Sequence, residues 1–532
     1  MIIYQILPRL WGNMVEDPEP GACLSRNGCG KFGSIDTETL QYIRSLGVSH
    51  IWYTGVIRHA TPETGGGCES SGAQWTKGSA GSPFAINDYY DVNPYLADNP
   101  AERLDEFKSL VRRTHAAGMK VLIDFVPNHV ARDYGAFSGR KPDFGADDDP
   151  SVHWKSENDF FYYPGEELRL PKEGDYHEFP AKASGNVFSP APGINDWYET
   201  VRLNYCDYHT ATWDKMLNVL LFWTGLGVDG FRCDMAELVP MEFLSWAVRE
   251  VKAVYPDVIF IGEVYRKEGY WQFIHEGGFD YLYDKSGLYD ALAAIVRKNT
   301  EDDGGVPSEL WQSTRLITWN WQRLGDLQPH MLNFLENHDE QRFASDFFGR
   351  DARNAFAALY VSLFFNTCPF MLYFGQEIGE RGMDAEGLSD LNGRTSIFDW
   401  WSVASLRRLW NEIHGCPEGL NEDEKQLLER YREALNFAAT NEAITKGNTY
   451  DLRYCNLSSD GFNEDRHFAF LRHYGSETLL IVCNFSRVPA SISISVPSDA
   501  FQLLDIAETP RLNSSIPLKV DVPAFDGVVL RF

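Results

Sequence analysis

The feature that most narrows the fold of this chain is a run of eight apolar segments: IIYQILP, VSHIWYTGV, MKVLIDFVPNH, GVDGFRCD, VIFIGEV, FDYLYD, HMLNFLENHD and FMLYFGQE. Each is continuously apolar rather than alternating, as strands buried on both faces of a parallel sheet are. Amphipathic helical stretches separate the early ones, among them SIDTETLQYIRSLG and NPAERLDEFKSLVRRTHAAG. The second of these has Asn99 as N-cap, Pro100 at the first position, Leu104, Phe107, Leu110 and Val111 on one face, and Gly118 as its stop. Eight strand-helix units on 532 residues, well above the roughly 250 of the bare fold, imply an α/β protein built on a TIM (β/α)8 barrel with insertions.

The alternation fails between Ala131 and Val201, where polar, aromatic, Gly- and Pro-rich sequence such as GRKPDFGADDDPSVHWKSENDFFYYPGEE takes over. A structureless loop of that length is improbable in a compact domain, so 131–201 is expected to be an inserted domain after the third strand. The barrel then comprises 1–130 and 202–440, and a capped helix, NEDEKQLLERYREALNFA from Asn421, closes it. Short alternating runs follow, HFAFLRHY, ETLLIVCNFS and SISISV, which predict an antiparallel β-sandwich over 441–532. The apolar stretch 355–375 reads as a buried helix and strand rather than a membrane span, because Asn366, Thr367 and Pro369 divide it.

Composition excludes several functions. Hydrophobic residues at 44% exclude wholesale disorder, and a net charge of −28 argues against nucleic acid and anionic membrane surfaces as partners. A neutral substrate fits better. The 15 Trp, 25 Tyr and 34 Phe supply flat faces for sugar rings, although most aromatic residues in any protein are core. Nine scattered cysteines without a C-x-x-C pair, Cys68 among them, read as mostly free thiols, with Cys23 and Cys29 close enough in sequence to bridge. The start MIIYQILPRL lacks signal-peptide features, so the expected compartment is the cytoplasm, the alternative being a periplasmic or secreted protein whose leader has been removed.

Within GVDGFRCD, Arg232 and Asp234 lie two apart and share one strand face. A structural ion pair would explain them alone. Two further strand-like runs also end on acids, Glu263 and Asp339, while a fourth carries Asp124 before Asn128 and His129. In a barrel the C-terminal strand ends ring one mouth, where chemistry is done. Three acids, Arg232, His129 and His338 converging there point to glycoside hydrolysis, which needs a carboxylic acid and a carboxylate around an oxocarbenium-like transition state. A metal site is the rival reading, opposed by the arginine and by the lack of His-x-x-x-His spacing.

DFVPNH, GFRCD, GEV and ENHD, in this order at strand ends, resemble the four short motifs of the α-amylase superfamily, glycoside hydrolase family 13. TVRLN at 200–204 and CPFMLYFGQEIG at 368–379 extend the resemblance over essentially the whole chain. It implies Asp234 as nucleophile, Glu263 as general acid and base, and Asp339 as the third acid gripping sugar hydroxyls. Arg232 would keep Asp234 ionised, since a nearby cation lowers a carboxyl pKa. Glu263 needs a pKa raised toward about 6. His129 and His338 would donate hydrogen bonds to the sugar. Phe84 stands where many members place a stacking tyrosine, so stacking is kept and a hydroxyl lost. Asn128 matches a calcium-binding position, but Ala236 and Glu237 replace the usual lysine and histidine and the early acidic calcium loop has no counterpart. Calcium is therefore an optional ligand, and no cofactor is required.

The expectation is a retaining hydrolase of α-linked oligo- or polysaccharides such as starch or maltodextrin. An α-glucan transglycosylase is the alternative within enzymes, because the covalent intermediate can pass to a sugar hydroxyl. A non-catalytic glycan-binding relative is the alternative outside them, and the intact acids oppose it. Arg342 is either a clamp for a chain end or a structural arginine. The insertion's Trp154, Phe160, Phe161, Tyr162 and Tyr163 are either outer subsites or, for most, core. Linkage preference, endo or exo action and oligomeric state are left open.

Overall fold

A computed structural model describes all residues except 65–69, 136–137, 140–142, 301–311 and 389–390. Eight strands form the barrel: β1 (Ile2–Ile6), β2 (His50–Tyr53), β3 (Lys120–Phe125), β4 (Gly230–Cys233), β5 (Ile259–Gly262), β6 (Tyr281–Tyr283), β7 (Met331–Phe334) and β8 (Phe370–Tyr373). Neighbours pair in parallel in chain order, and β1 pairs with β8, which closes the ring. Burial on both faces explains the continuous apolar runs: every residue of β1, β4, β7 and β8 is buried. In the β3–β4 register Arg232 sits opposite Asp124.

Helices clothe the barrel. The signals around Asn99 operate in two steps, because the Asn99 side chain caps a short 3-10 turn at Pro100–Glu102 that runs into the helix Arg103–Ala116. At Glu422–Thr440 a full capping box forms: the Asn421 side chain accepts from the Glu424 amide, and the Glu424 side chain accepts from the Asn421 amide. The apolar stretch before β8 is a helix, Phe356–Phe364, buried between barrel and C-terminal sheet. Among the described residues no helix is long and apolar enough to cross a membrane.

The excursion after β3 leaves and returns through one antiparallel ribbon, His129–Ala131 against Thr200–Arg202. Those residues serve barrel and insertion together, so the division at 130/131 and 201/202 runs through paired strands. Phe160, Phe161 and Tyr162 are buried in the insertion, while Trp154 is 46% exposed. Beyond the barrel, β9 (Asn448–Asp451), β10 (His467–Tyr474), β11 (Glu477–Asn484) and β14 (Asp526–Arg531) make a four-stranded sheet, with β12 (Ala490–Ile494) and β13 (Leu518–Val522) as a second pair. Tyr450, Leu471, Val482, Ile492 and Val520 join these sheets in a core of their own.

Candidate active site

The C-terminal strand ends bring the expected acids to one place. Phe84, His129, Asp234, Glu263 and Asp339 line a single cavity of about 220 Å³, with Lys77, Trp197, Glu199 and Tyr265 completing its walls. Larger hollows of about 740 and 700 Å³ lie elsewhere, and none of these three acids lines either. Chemistry rather than size identifies the site.

Arg232 stands behind the carboxyls, 1% exposed. Its Nη1 donates to Asp234 Oδ1 at 2.6 Å, its Nη2 lies 2.9 Å from Glu263 Oε2, and its Nε donates to the Tyr283 hydroxyl at 3.2 Å. The guanidinium also lies 5.4 Å from the rings of Trp52 and Phe84. Burial works against this charge, but Glu263, Tyr283 and Asp234 hold it. The pair that sequence reading left as either structural or functional is therefore a three-way contact spanning two strands.

Arg232 pulls the Asp234 carboxyl down as expected, but burial outweighs it. Burial, against the pull of Arg232 and with a further push from Glu263, raises its carboxyl to about 7 rather than lowering it. Half of the arginine's fork belongs to Glu263, which is also the better solvated by donors. The Tyr265 hydroxyl donates to Glu263 Oε1 at 2.6 Å and the Met235 amide donates to Oε2 at 2.7 Å. Met235 reaches that position in a left-handed conformation, φ 42°, directly after Asp234. Such a backbone costs a non-glycine residue of order 1 kcal/mol, and here it aims an amide at the neighbouring carboxylate. Asp234 thus holds a proton more readily than a free aspartate does.

Asp339 faces the mouth, its side chain 44% exposed, and His338 Nε2 lies 2.9 Å from Oδ2. Gln5 Nε2, at the end of β1, is 2.8 Å from His338 Nδ1. Desolvation opposes ionisation, yet His338, Arg232 and Arg394 bring the Asp339 carboxyl down to about 2. His338 thus stands between Gln5 and Asp339, next to the acid. His129 is buried, and burial lowers its ring to about 3, so it is neutral; its ring packs 5.2 Å from Trp197. Phe84 offers its face beside His338, centroids 5.2 Å apart. Asp124 is held by Gly55 N and Trp52 Nε1 and stays out of the cavity.

Arg342 is not a substrate clamp. It is fully buried, donating to Phe374 O at 2.8 Å, Thr395 Oγ1 at 2.8 Å and Glu336 Oε2 at 3.1 Å, with Tyr373 stacked 4.0 Å away. Its Nη2 has no hydrogen-bond partner among the described residues, but the whole side chain is buried and lines none of the cavity that holds the three acids. Asn128 likewise turns its amide inward, donating to Gly185 O at 2.9 Å and to His129 Nδ1 at 3.1 Å. Arg202 Nη1 donates to the same Gly185 carbonyl at 3.1 Å, so a guanidinium stands where a cation would bind and these residues do not fit calcium. Glu237, in place of the usual histidine, accepts from the amides of Tyr265 and Arg266 and fixes the loop after β5. The cysteines among the described residues are free thiols, Cys23 and Cys29 included, and Cys68 lies outside the described residues.

Tyr265, Lys77, Glu199 and Trp197 escaped the sequence reading. Tyr265 follows Glu263 by two in GEVYR, a spacing that could have exposed it, whereas the others sit in loops without pattern.

Comparison with known proteins agrees with this geometry. The chain is 23% identical over 525 residues to a cyclomaltodextrinase from Geobacillus thermopakistaniensis, covering 98% of this chain and 72% of that one. It is 21% identical to neopullulanase 2 from Thermoactinomyces vulgaris, covering 99% and 77%. A maltogenic alpha-amylase from Thermotoga neapolitana superposes with a TM-score of 0.62 at 21% identity, over 100% of this chain and 98% of that one, and so shares the fold. The profile described as "Alpha amylase, catalytic domain" matches residues 25–399, most of the barrel with its insertion, and the chain therefore belongs to the alpha-amylase family.

Proposed function

We propose that this protein hydrolyses α-glucans with retention of anomeric configuration. The observation that carries the reading is the meeting of Asp234, Glu263 and Asp339 around one cavity, with a single guanidinium fork touching two of them. A fork that reaches both carboxyls suits the separation of about 5 Å used by retaining pairs rather than the wider gap of inverting ones. The names of the relatives, a cyclomaltodextrinase and a neopullulanase, support an α-glucan as substrate.

Asp234 attacks the anomeric carbon while Glu263 protonates the departing glycosidic oxygen, leaving a glycosyl ester on Asp234. Glu263 then takes a proton from water, which displaces the ester and restores the carboxylate. Asp339, ionised and aligned by His338, binds ring hydroxyls, and Phe84 packs against the sugar face. No calcium enters this scheme, because Asn128 and Arg202 already satisfy the Gly185 carbonyl. Free thiols throughout the described residues suit a reducing, cytoplasmic compartment.

The test is a chromatographic product profile with maltoheptaose, starch and pullulan, with Asp234→Asn as control. Shorter maltooligosaccharides from the wild type alone support the reading. Products longer than the substrate would replace it with transglycosylation, and no product from any α-glucan would remove it.

A further inference from the structure

The cavity has a second ion pair that the chemistry above does not use. Lys77 Nζ lies 3.1 Å from Glu199 Oε1, and both residues line the cavity with side chains 16% and 5% exposed. The two come from different units: Lys77 from the loop between the paired strands Ile57–His59 and Ile86–Val92, and Glu199 from the residue before the ribbon strand Thr200–Arg202. The Lys77 loop is held against the β8 side of the mouth. Gly78 has φ +66°, and a Cβ there would meet Phe398 O at 2.2 Å, so only glycine permits the approach.

Glu199 Oε2 is buried and has no hydrogen-bond partner among the described residues. A buried carboxylate oxygen left unpaired is costly, and this one belongs to a side chain lining a sugar-sized cavity. Glu199 is paired with Lys77, whereas Asp234 and Glu263 are paired with Arg232, so two separate ion-pair groups line the one cavity. At about 220 Å³ the space lies below the roughly 300 Å³ at which drug-sized pockets begin, room for about one hexose ring.

Resting on the hydrolase reading, we propose that Lys77 and Glu199 recognise a chain end: they bind neighbouring hydroxyls on the edge of the sugar remote from its anomeric carbon. An ammonium donates to one hydroxyl and the free carboxylate oxygen accepts from the next, which matches a vicinal diol. A ring seated this way has its non-reducing side closed by the pair, so the enzyme removes single sugars from non-reducing ends.

The test compares maltoheptaose with maltoheptaose whose non-reducing-end hydroxyls are tied up in an ethylidene acetal. Wild type should release glucose first from the former and leave the latter intact. Glu199→Gln and Lys77→Met should each raise KM by about ten-fold or more with kcat changed much less, since a lost hydrogen bond to a charged group is worth at least that. Cleavage of the blocked substrate at a comparable rate, or an unchanged KM in both variants, would overturn the proposal. Calorimetric titration with maltose separates the two readings: if wild type cuts neither substrate the hydrolase reading falls, and weaker maltose binding by Glu199→Gln still upholds the pair as a sugar-binding site, whereas equal binding ends it.

Discussion

Two buried arginines at the same barrel mouth invite comparison. Arg232 and Arg342 are 1% and 0% exposed, both lie against aromatic rings, and both hold a carboxyl that burial raises to about 7, Asp234 for the first and Glu336 for the second. The difference lies in what is left unfilled. Arg232 joins two acids that line a cavity. Arg342 gives its Nε and Nη1 to Thr395, Phe374 O and Glu336 away from that cavity, and Glu336 also accepts from the Phe343 amide. A perturbed carboxyl beside an arginine is thus a functional signal only where that carboxyl also faces open space.

The largest effect should come from the acid facing the cavity. Asp234→Asn keeps the shape and the contact with Arg232 but cannot attack, so kcat should fall by about ten-thousand-fold or more, measured as reducing sugar released from maltoheptaose at matched folded concentration. Arg342→Met should do the opposite. It strands Glu336 in the core and should cost about 3–5 kcal/mol in urea-induced unfolding, with kcat and KM of the folded protein unchanged. A rise in KM specific to short chains would return Arg342 to the role of end clamp and dissolve the comparison.

The same two carboxyls should separate by pH. Asp234 must be ionised to attack, and its carboxyl sits at about 7, so kcat/KM should climb as pH rises through 7. Asp339, held at about 2, adds no inflection where the enzyme is folded. Glu336 is raised from 4.5 to about 7 but touches no substrate. Its folded state binds the proton more tightly than its unfolded state, so its contribution to stability is full below about 4.5 and is lost as pH rises through 7. Glu336→Gln should therefore flatten the fall in Tm across that window and leave the rate profile in place. A shifted rate profile would mean that the two arginine sites communicate.

The ease with which the acids were found has a simple cause. A strand buried on both faces cannot carry a carboxylate cheaply, so an acid ending an apolar run is conspicuous, and Asp234, Glu263 and Asp339 all stand that way. The barrel is read from those continuous apolar runs, the insertion from the gap in them, and the C-terminal sheets from shorter alternating runs. What chain order hides is sharing. Arg232 divides its fork between Asp234 and Glu263, and its contact with Glu263 joins residues 31 positions apart that only the β4–β5 register makes adjacent. Arg342 in ENHDEQR looks as available as Arg232 until the turn residues around it fill. Lys77 and Glu199 lie in segments without period, and only the folded insertion brings them together.

The smallest expected effect is the absence of one, and it tests whether charge at the mouth comes from the protein alone. A structural calcium near Asn128 would need carboxylate or carbonyl oxygens free to face it. The Gly185 carbonyl instead accepts from both Asn128 Nδ2 and Arg202 Nη1, and Arg202 further donates to Leu238 O at 3.3 Å, tying the insertion to the loop after β4. A guanidinium does here what a divalent ion would do, joining the two units through backbone oxygens. Treatment with excess chelator should then leave Tm and kcat unchanged, while Arg202→Gln should lower Tm by a few degrees through the loss of those contacts. A chelator-induced fall in Tm that added calcium reverses would place an ion at another site or show that Arg202 yields to one.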